Sequence, residues 1–470
     1  MGGNSVEGET SHLINIPEEG DGGGQAQKME EQMRINNPLL PSEPTVTSED
    51  RCIFKLPERF RKMNGKTSYD APQIVSIGPL HSRKHELQIM TKQLKWQCLE
   101  YVLKRNKSNL KRYVDIIRPL LSKATECYSK KINPDDYDFL EIMVVDGCFI
   151  LECLGFTYFT YKLGIIQSKK EDWDGHPLAP IAMERVKLQQ IYRDLLLLEN
   201  QIPFFVLVKL FEISNMTFDS KDSKDISLLF MISAEVFSSI LGIRGYEDYS
   251  SRLQEHKCLH LLHMVRSIFI RQPGHDEAMR HNDKELPLAY IPVNIPSISK
   301  LRRAGIKVKP RENDNFSKVN FEHGVIEMPK IILNDLMCSF LVNCVAFEQS
   351  HRKCSQHFSV YALLLDCLVN TAGDVDYLCD YGVIENYIET DAVTFINNLG
   401  KCVTFDWGYF DFFWLCYRVN AYYQNRLHRH WTSFKGEYFN KPWLWISALV
   451  AFVLLVLTFL QTYYAMDPKH

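Results

Sequence analysis

Apolar residues recur with a helical period through most of the chain between about residues 86 and 270. Glu86–Arg105 carries Leu87, Met90, Leu94, Cys98, Tyr101 and Val102 along one face, the pattern of an amphipathic helix. Asp138–Leu154 holds Phe139, Met143, Val145, Phe149, Ile150 and Cys153, too apolar for a surface helix, so it is predicted to be buried. Pro180–Glu212 reads as a single core helix, kinked or interrupted at Pro203. Asp222-Ser223-Lys224-Asp225 marks a loop and the start of a further helix.

The period changes after residue 295. Ile298–Ala304 predicts a short helix stopped by Gly305. Ile306, Val308, Val319, Phe321, Val325, Ile326 and Met328 then alternate as short strands, turning at Glu322-His323-Gly324. Asn334 or Asp335 caps a helix reaching about Gln349, and helices resume over Val360–Asn370 and Asp391–Gly400. The fold class is therefore mainly α: a helical globular body with a small β patch around 306–328.

Trp443–Tyr464 contains 22 residues without a charge. As a helix it spans roughly 33 Å, enough for a hydrocarbon core of about 30 Å. Trp443 and Trp445 at one end and Tyr463 and Tyr464 at the other match interfacial aromatic belts. Residues 443–464 are thus expected to form one transmembrane helix, followed by a short tail, 465–470. Arg418, Arg426, Arg429, Lys435 and Lys441 lie upstream, which predicts that the large domain stays in the cytosol. No signal peptide precedes it, so the expectation is a tail-anchored chain. The alternative is an extracellular body at the plasma membrane. Three sequons, at Asn106, Asn215 and Asn315, would report it.

Composition adds boundaries. Residues 1–50 hold ten acidic residues against Lys28 and Arg34 and are rich in Gly, Ser and Pro, a composition that predicts disorder. The helical domain is expected over 51–440. The chain begins Met-Gly, but Val6 stands where myristoylation requires Ser or Thr. Net charge is −3, so without that acidic head the rest is only mildly basic, and it shows no basic stripe of the kind nucleic-acid binding needs. Thirteen cysteines, an odd number with no CxxC, favour reduced thiols in a cytosolic domain over a secreted disulfide framework.

Catalytic signatures are missing: no phosphate loop, GxSxG elbow, HExxH or kinase set occurs. His256, His260 and His263 would share one helical face beside Cys258, a zinc-capable arrangement that could equally be a polar surface. Asp146, Glu152 and Glu199 are acids in apolar surroundings. Burial would raise their pKa as acid–base catalysis requires, although hydrogen-bonded core carboxylates are commoner. No residue is assigned here to catalysis, to a cofactor or to a metal.

Several ordered segments resemble the plant domain-of-unknown-function 247 family, over roughly residues 52–465. They are Tyr69–Pro79 (YDAPQIVSIGP), Met143–Glu152 (MVVDGCFILE), Asp194–Phe205 (DLLLLENQIPFF), Ile295–Gly305 (IPSISKLRRAG) and Ala346–Gln349 (AFEQ), followed by the Trp-rich anchor with Gln461-Thr462. Leu80 stands where the family has an aromatic, and Met90-Thr91 lacks its usual acid. The resemblance implies a plant membrane protein with a disordered head, a helical body and a C-terminal anchor. It supplies no catalytic residues. Some grass members are associated with pollen-side self-incompatibility, which implies recognition through protein contacts. The expected function is a non-enzymatic, membrane-anchored interaction or recognition protein with an unidentified protein partner. The alternative is a membrane-tethered enzyme using the buried acids.

Overall fold

The computed structural model describes residues 51–63, 69–82, 85–133, 137–162, 175–214, 226–242, 258–270, 294–311, 319–388, 391–404, 410–425 and 442–466. The acidic segment 1–50, His256, Asn215, Asn315 and Asp222–Asp225 lie outside them.

Helices dominate, as the apolar period predicts. The first half contains α1 (Glu58–Arg61), α2 (His85–Arg105), α3 (Leu110–Ile117), α4 (Leu121–Glu126) and α5 (Tyr137–Lys162). It continues with α6 (Ala179–Met183), α7 (Arg185–Leu195), α8 (Phe204–Ile213), α9 (Ile226–Leu241) and α10 (Leu261–Phe269). Helix α5 is the hub, packed against α2, α3, α8 and α9. Its Phe139, Met143, Phe149, Ile150 and Cys153 are all buried, which accounts for its lack of a polar face. Gly147 makes the packing on α8 possible: a Cβ there would stand 2.2 Å from Leu210 Cδ1.

The second half opens with α11 (Ile298–Arg303), ended by Gly305 at φ 82° as expected. Strands β1 (Lys307–Arg311), β2 (Asn320–Glu322) and β3 (Val325–Pro329) form a sheet of order β1-β3-β2, with β1 parallel and β2 antiparallel to β3. The turn between β2 and β3 holds His323 and Gly324 at φ 50° and 76°. A second, two-stranded parallel pair joins β4 (Ile331–Leu333) to β5 (Ile384–Asn386). Its strands are too short to stand out from the apolar runs beside them.

Helix α12 (Asp335–Ser350) is the second hub, against α7, α10, β4 and α13 (His357–Leu368). Of its two candidate caps, Asn334 is the one used, accepting from Met337 N–H at 2.8 Å. Helices α14 (Ala372–Asp380), α15 (Ala392–Lys401) and α16 (Phe410–Gln424) complete the body. The Asp391 carboxylate caps α15 by accepting from Val393 N–H. Helix α17 (Pro442–Met466) is, among the described residues, the one unbroken helix long and apolar enough to cross a membrane, and its Ile446–Tyr463 stretch is wholly unburied. The hydroxyls of Thr458 and Thr462 bond back to carbonyls one turn earlier, so neither needs water.

One element departs from the sequence reading. Pro180–Glu212 is three helices, α6, α7 and α8, with a non-helical stretch from Leu196 to Pro203. The cause is local chemistry. Gln201 Nε2 donates to the carbonyls of Leu195 and Leu197, and Asn200 Nδ2 donates to that of Asp194. Side-chain amides thus satisfy the carbonyls that α7 leaves open at its end, and the helix stops before the proline.

Candidate functional site

The stretch Leu196–Pro203 faces a second segment without regular structure, Gln73–Gly78, and together they form a buried polar clamp. Asp194, fully buried, accepts from three successive N–H groups: Gln73 at 3.0 Å, Ile74 at 2.7 Å and Val75 at 3.0 Å. Consecutive N–H groups converge on this carboxylate as they do on a bound anion. Arg193 lies 3.0 Å from it as counter-charge. Asn200 continues the grip, accepting from Ile77 N–H at 2.6 Å and donating to Val75 O at 3.0 Å. Asp146 Oδ2 accepts from Gly78 N–H at 2.8 Å. Lys95 joins Asp146 Oδ1 at 2.6 Å and also donates to Ser76 O. A segment that pairs with no strand thereby has its inner N–H groups satisfied by side chains.

Glu199 fastens a different piece of chain. Its Oε1 accepts from Leu56 N–H at 2.8 Å and from Arg61, while His81 Nε2 stands 3.4 Å from Oε2. Burial pushes this carboxyl up, but His81, the Leu56 N–H and Arg61 outweigh it and hold the group below the usual glutamate range. Asp146 differs: burial dominates and raises it, with Lys95 and Gly78 opposing. Asn343 of α12 ties the two sides together. It accepts from Leu198 N–H at 2.7 Å and donates to Tyr69 O at 3.1 Å.

The other acids behave alike. Glu152, 1% exposed, receives a forked pair from Arg105 at 3.0 and 2.7 Å and lies 3.1 Å from His176 Nε2. His176 Nδ1 accepts from Leu178 N–H, so in the neutral ring the proton sits on Nε2 and points at the carboxylate. Glu348, of the AFEQ motif, accepts from Arg266 at 2.9 and 2.6 Å and from the N–H groups of Phe358 and Ser359. It therefore caps the first turn of α13 from a neighbouring helix. Asp374 accepts from Ser299, Asn370 and Thr371 N–H, closing a capping box on α14 and pinning the SIS motif of α11. Burial acts to raise it, yet the Ser299 and Thr371 hydroxyls and these N–H groups hold it below the usual range.

The sequence singled out Asp146, Glu152 and Glu199, and the structure places them in three separate interactions rather than one catalytic cluster. Asn200, beside Glu199, invites the same two readings as the acids, and its amide proves to hold backbone; sequence reasoning gave no role to Asp194, Glu348, Lys95, Asn343 or Asp374. The available signal was a polar residue inside an apolar run, as with Asn343 in CSFLVNCVAF.

The histidine arrangement does not hold. His260 is extended at φ −159° and forms a bridge with Pro203, and α10 begins only at Leu261. His260 Nδ1 accepts from His263 N–H as a cap. His263 Nδ1 in turn accepts from Leu259 N–H. The Nδ1 of each ring is thus taken up by backbone, and among the described residues no group of three or more His, Cys, Asp or Glu could hold a metal ion. Burial, then His263, keeps the His260 ring well below the ordinary histidine range. A depressed histidine contributes stability that is full above the unfolded pKa of about 6.5 and declines as pH falls through it. Unfolding midpoints should therefore drop between about pH 7.5 and 5.5. His260→Asn, which keeps a cap but cannot titrate, should flatten that slope; an unchanged slope would remove His260 from the account.

Beside the clamp lies a cavity of about 740 Å³. The Ser76–Leu80 segment, α2 and α5 wall it, and the Lys95–Asp146 pair lines it. All thirteen cysteines carry free thiols.

A helical body whose motif carboxylates are each engaged by backbone N–H groups or by cationic side chains of the chain itself, joined to one long exposed apolar helix, defines the class of protein. Residues 53–457 match the domain-of-unknown-function 247 family, described as plant proteins of unknown function, and the chain belongs to that family. It is similar to the UPF0481 protein At3g47200 of Arabidopsis thaliana, 29% identical over 88% of this chain and 86% of that one. It is also similar to the UPF0481 protein At3g02645 of the same plant, 25% identical over 87% of this chain and 89% of its relative. No solved structure matches.

Proposed function

We propose that this chain is a non-enzymatic interaction or recognition protein, anchored in a membrane through residues 443–464 with its body in the cytosol. The observation that carries the reading is the saturation of the motif acids. Asp194, Glu199, Glu152 and Glu348 accept from backbone N–H groups or cations of the chain itself. A general acid or base must instead present a lone pair or proton to a substrate. The unburied apolar stretch Ile446–Tyr463 supports anchorage. The basic residues before it and the free thiols support a cytosolic body.

One observation favours the enzyme alternative: Asp146 and Lys95 line the cavity. Both Asp146 oxygens are already engaged, by Gly78 N–H and by Lys95. The two readings separate in plant cells carrying Lys95→Gln/Asp146→Asn, which removes both charges and keeps hydrogen-bonding groups. Proximity labelling should return the wild-type set of neighbours, and the variant should complement a null line. Intact folding and neighbours with lost complementation would transfer the case to catalysis.

Anchorage and orientation have their own test. Deletion from Trp443 onward should move the chain from the carbonate-washed membrane pellet to the soluble fraction with its helical content retained. In sealed microsomes the body should be protease-sensitive and show no mobility shift on deglycosylation. Asn106 is a poor acceptor in any compartment, because it is half-buried with its amide on Tyr113 Oη at 2.9 Å. A shift lost with Asn215→Gln or Asn315→Gln would reverse the orientation.

A further inference from the structure

The cavity beside the clamp is not needed for any of the contacts described above, and its size lies within the range of small-molecule sites, roughly 300–1,000 Å³. We propose that it binds a small amphipathic organic anion: an aromatic or alicyclic body carrying a carboxylate, sulfonate or phosphate. The proposal goes beyond the interaction reading and rests on the cavity, not on the anchor.

The walls divide by chemistry. Leu80, Trp96, Ile132 and Ile142 contribute apolar surface, and each is still partly open to solvent. Trp96 is 37% exposed and presents its indole to the cavity. Lys92, Lys130 and Lys131 supply three cations, with no ion pair among the described residues. Two further acids, Asp138 and Glu141, line the space, and Asp138 already has a partner. The Lys95–Asp146 pair is neutral as a unit. Set beside the Lys95–Asp146 pair, the lining holds three further lysines against two carboxylates, so its balance is positive by one charge, which favours an anionic head, while the indole and the aliphatic side chains favour an apolar body.

The clamp gives this cavity a fixed wall. Ser76, Gly78 and Pro79 line it, and the Ser76–Gly78 stretch is held by Lys95, Asn200 and Asp146. A wall fixed by buried hydrogen bonds is preformed, so a ligand need not supply the ordering free energy itself.

The test uses the detergent-solubilised full chain and 1-naphthalenesulfonate, followed by calorimetric titration against a matched detergent blank. Expected is saturable binding at one site per chain. Lys130→Gln/Lys131→Gln should weaken it about tenfold, the loss expected for two partly exposed cations. Ile142→Trp should weaken it further by narrowing the space beside the indole. Uncharged 1-naphthalenemethanol should bind more weakly than the sulfonate. Both lysines are exposed and in no ion pair among the described residues, so the double variant should fold as wild type even if Ile142→Trp does not. Heat that never saturates and scales with detergent, or saturable binding unchanged in the lysine variant, would overturn the proposal.

Discussion

Asp194→Leu should prevent the body from folding stably, the largest loss expected from any single carboxylate of the clamp. The substitution leaves the N–H groups of Gln73, Ile74 and Val75 without their acceptor and Arg193, 3% exposed, without its counter-charge. Each orphaned buried donor costs about 1–3 kcal/mol, and breaking a buried ion pair about 3–5 kcal/mol. Even partial relaxation leaves a loss of roughly 4 kcal/mol or more, against a typical total of about 5–15 kcal/mol. Asp194→Asn keeps one oxygen acceptor and should lose roughly 2 kcal/mol. Denaturant titration of the full chain, followed by far-UV circular dichroism, distinguishes them. Equal, small shifts for both would mean that the carboxylate is not holding the segment.

Gly78→Ala is the second large effect, because two demands coincide at one residue. Gly78 sits at φ 72°, and an added Cβ would lie 2.4 Å from the Gln201 carbonyl oxygen. That oxygen cannot retreat freely, since Tyr128 Oη donates to it at 3.0 Å. The expected loss is about 3 kcal/mol, from left-handed strain plus displaced backbone. Gly382→Ala is the matched control: φ is 70°, but nothing stands within 4 Å of the new Cβ. It should cost about 1 kcal/mol, so the difference isolates the close approach of the two motif segments. Equal losses at the two sites would refute that approach.

The elements whose cause is local were legible in the sequence. Periodicity found α2, the buried α5, the capped α12 and the long apolar α17, and the turn at His323-Gly324 announced itself by its residue types. The clamp was not legible in the same way. Its pairs are 119 to 125 residues apart for Val75–Asp194, Ile74–Asp194, Ile77–Asn200 and Val75–Asn200, and no local pattern encodes such distances. The motif segments could be read as acids in apolar company, which describes a catalytic carboxylate and a structural one equally. What separates them is where the lone pairs go. The break of Pro180–Glu212 into three helices was hidden for a related reason. Asn200 and Gln201 look like ordinary helix residues until their amides are seen on the carbonyls of Asp194, Leu195 and Leu197.

The central claim is that the clamp acids Asp194 and Asp146 hold backbone, and amide hydrogen exchange of Gln73–Gly78 measures it most directly. This segment belongs to no helix or sheet, so without the clamp its N–H groups would exchange as fast as those of an open loop. With the clamp, the amides of Ile74, Val75, Ile77 and Gly78 should be as protected as those of the buried helix α5. Asn200→Ala should then release Ile77 selectively while Ile74 and Val75 stay slow. Fast exchange across the whole segment in the native chain would contradict the account.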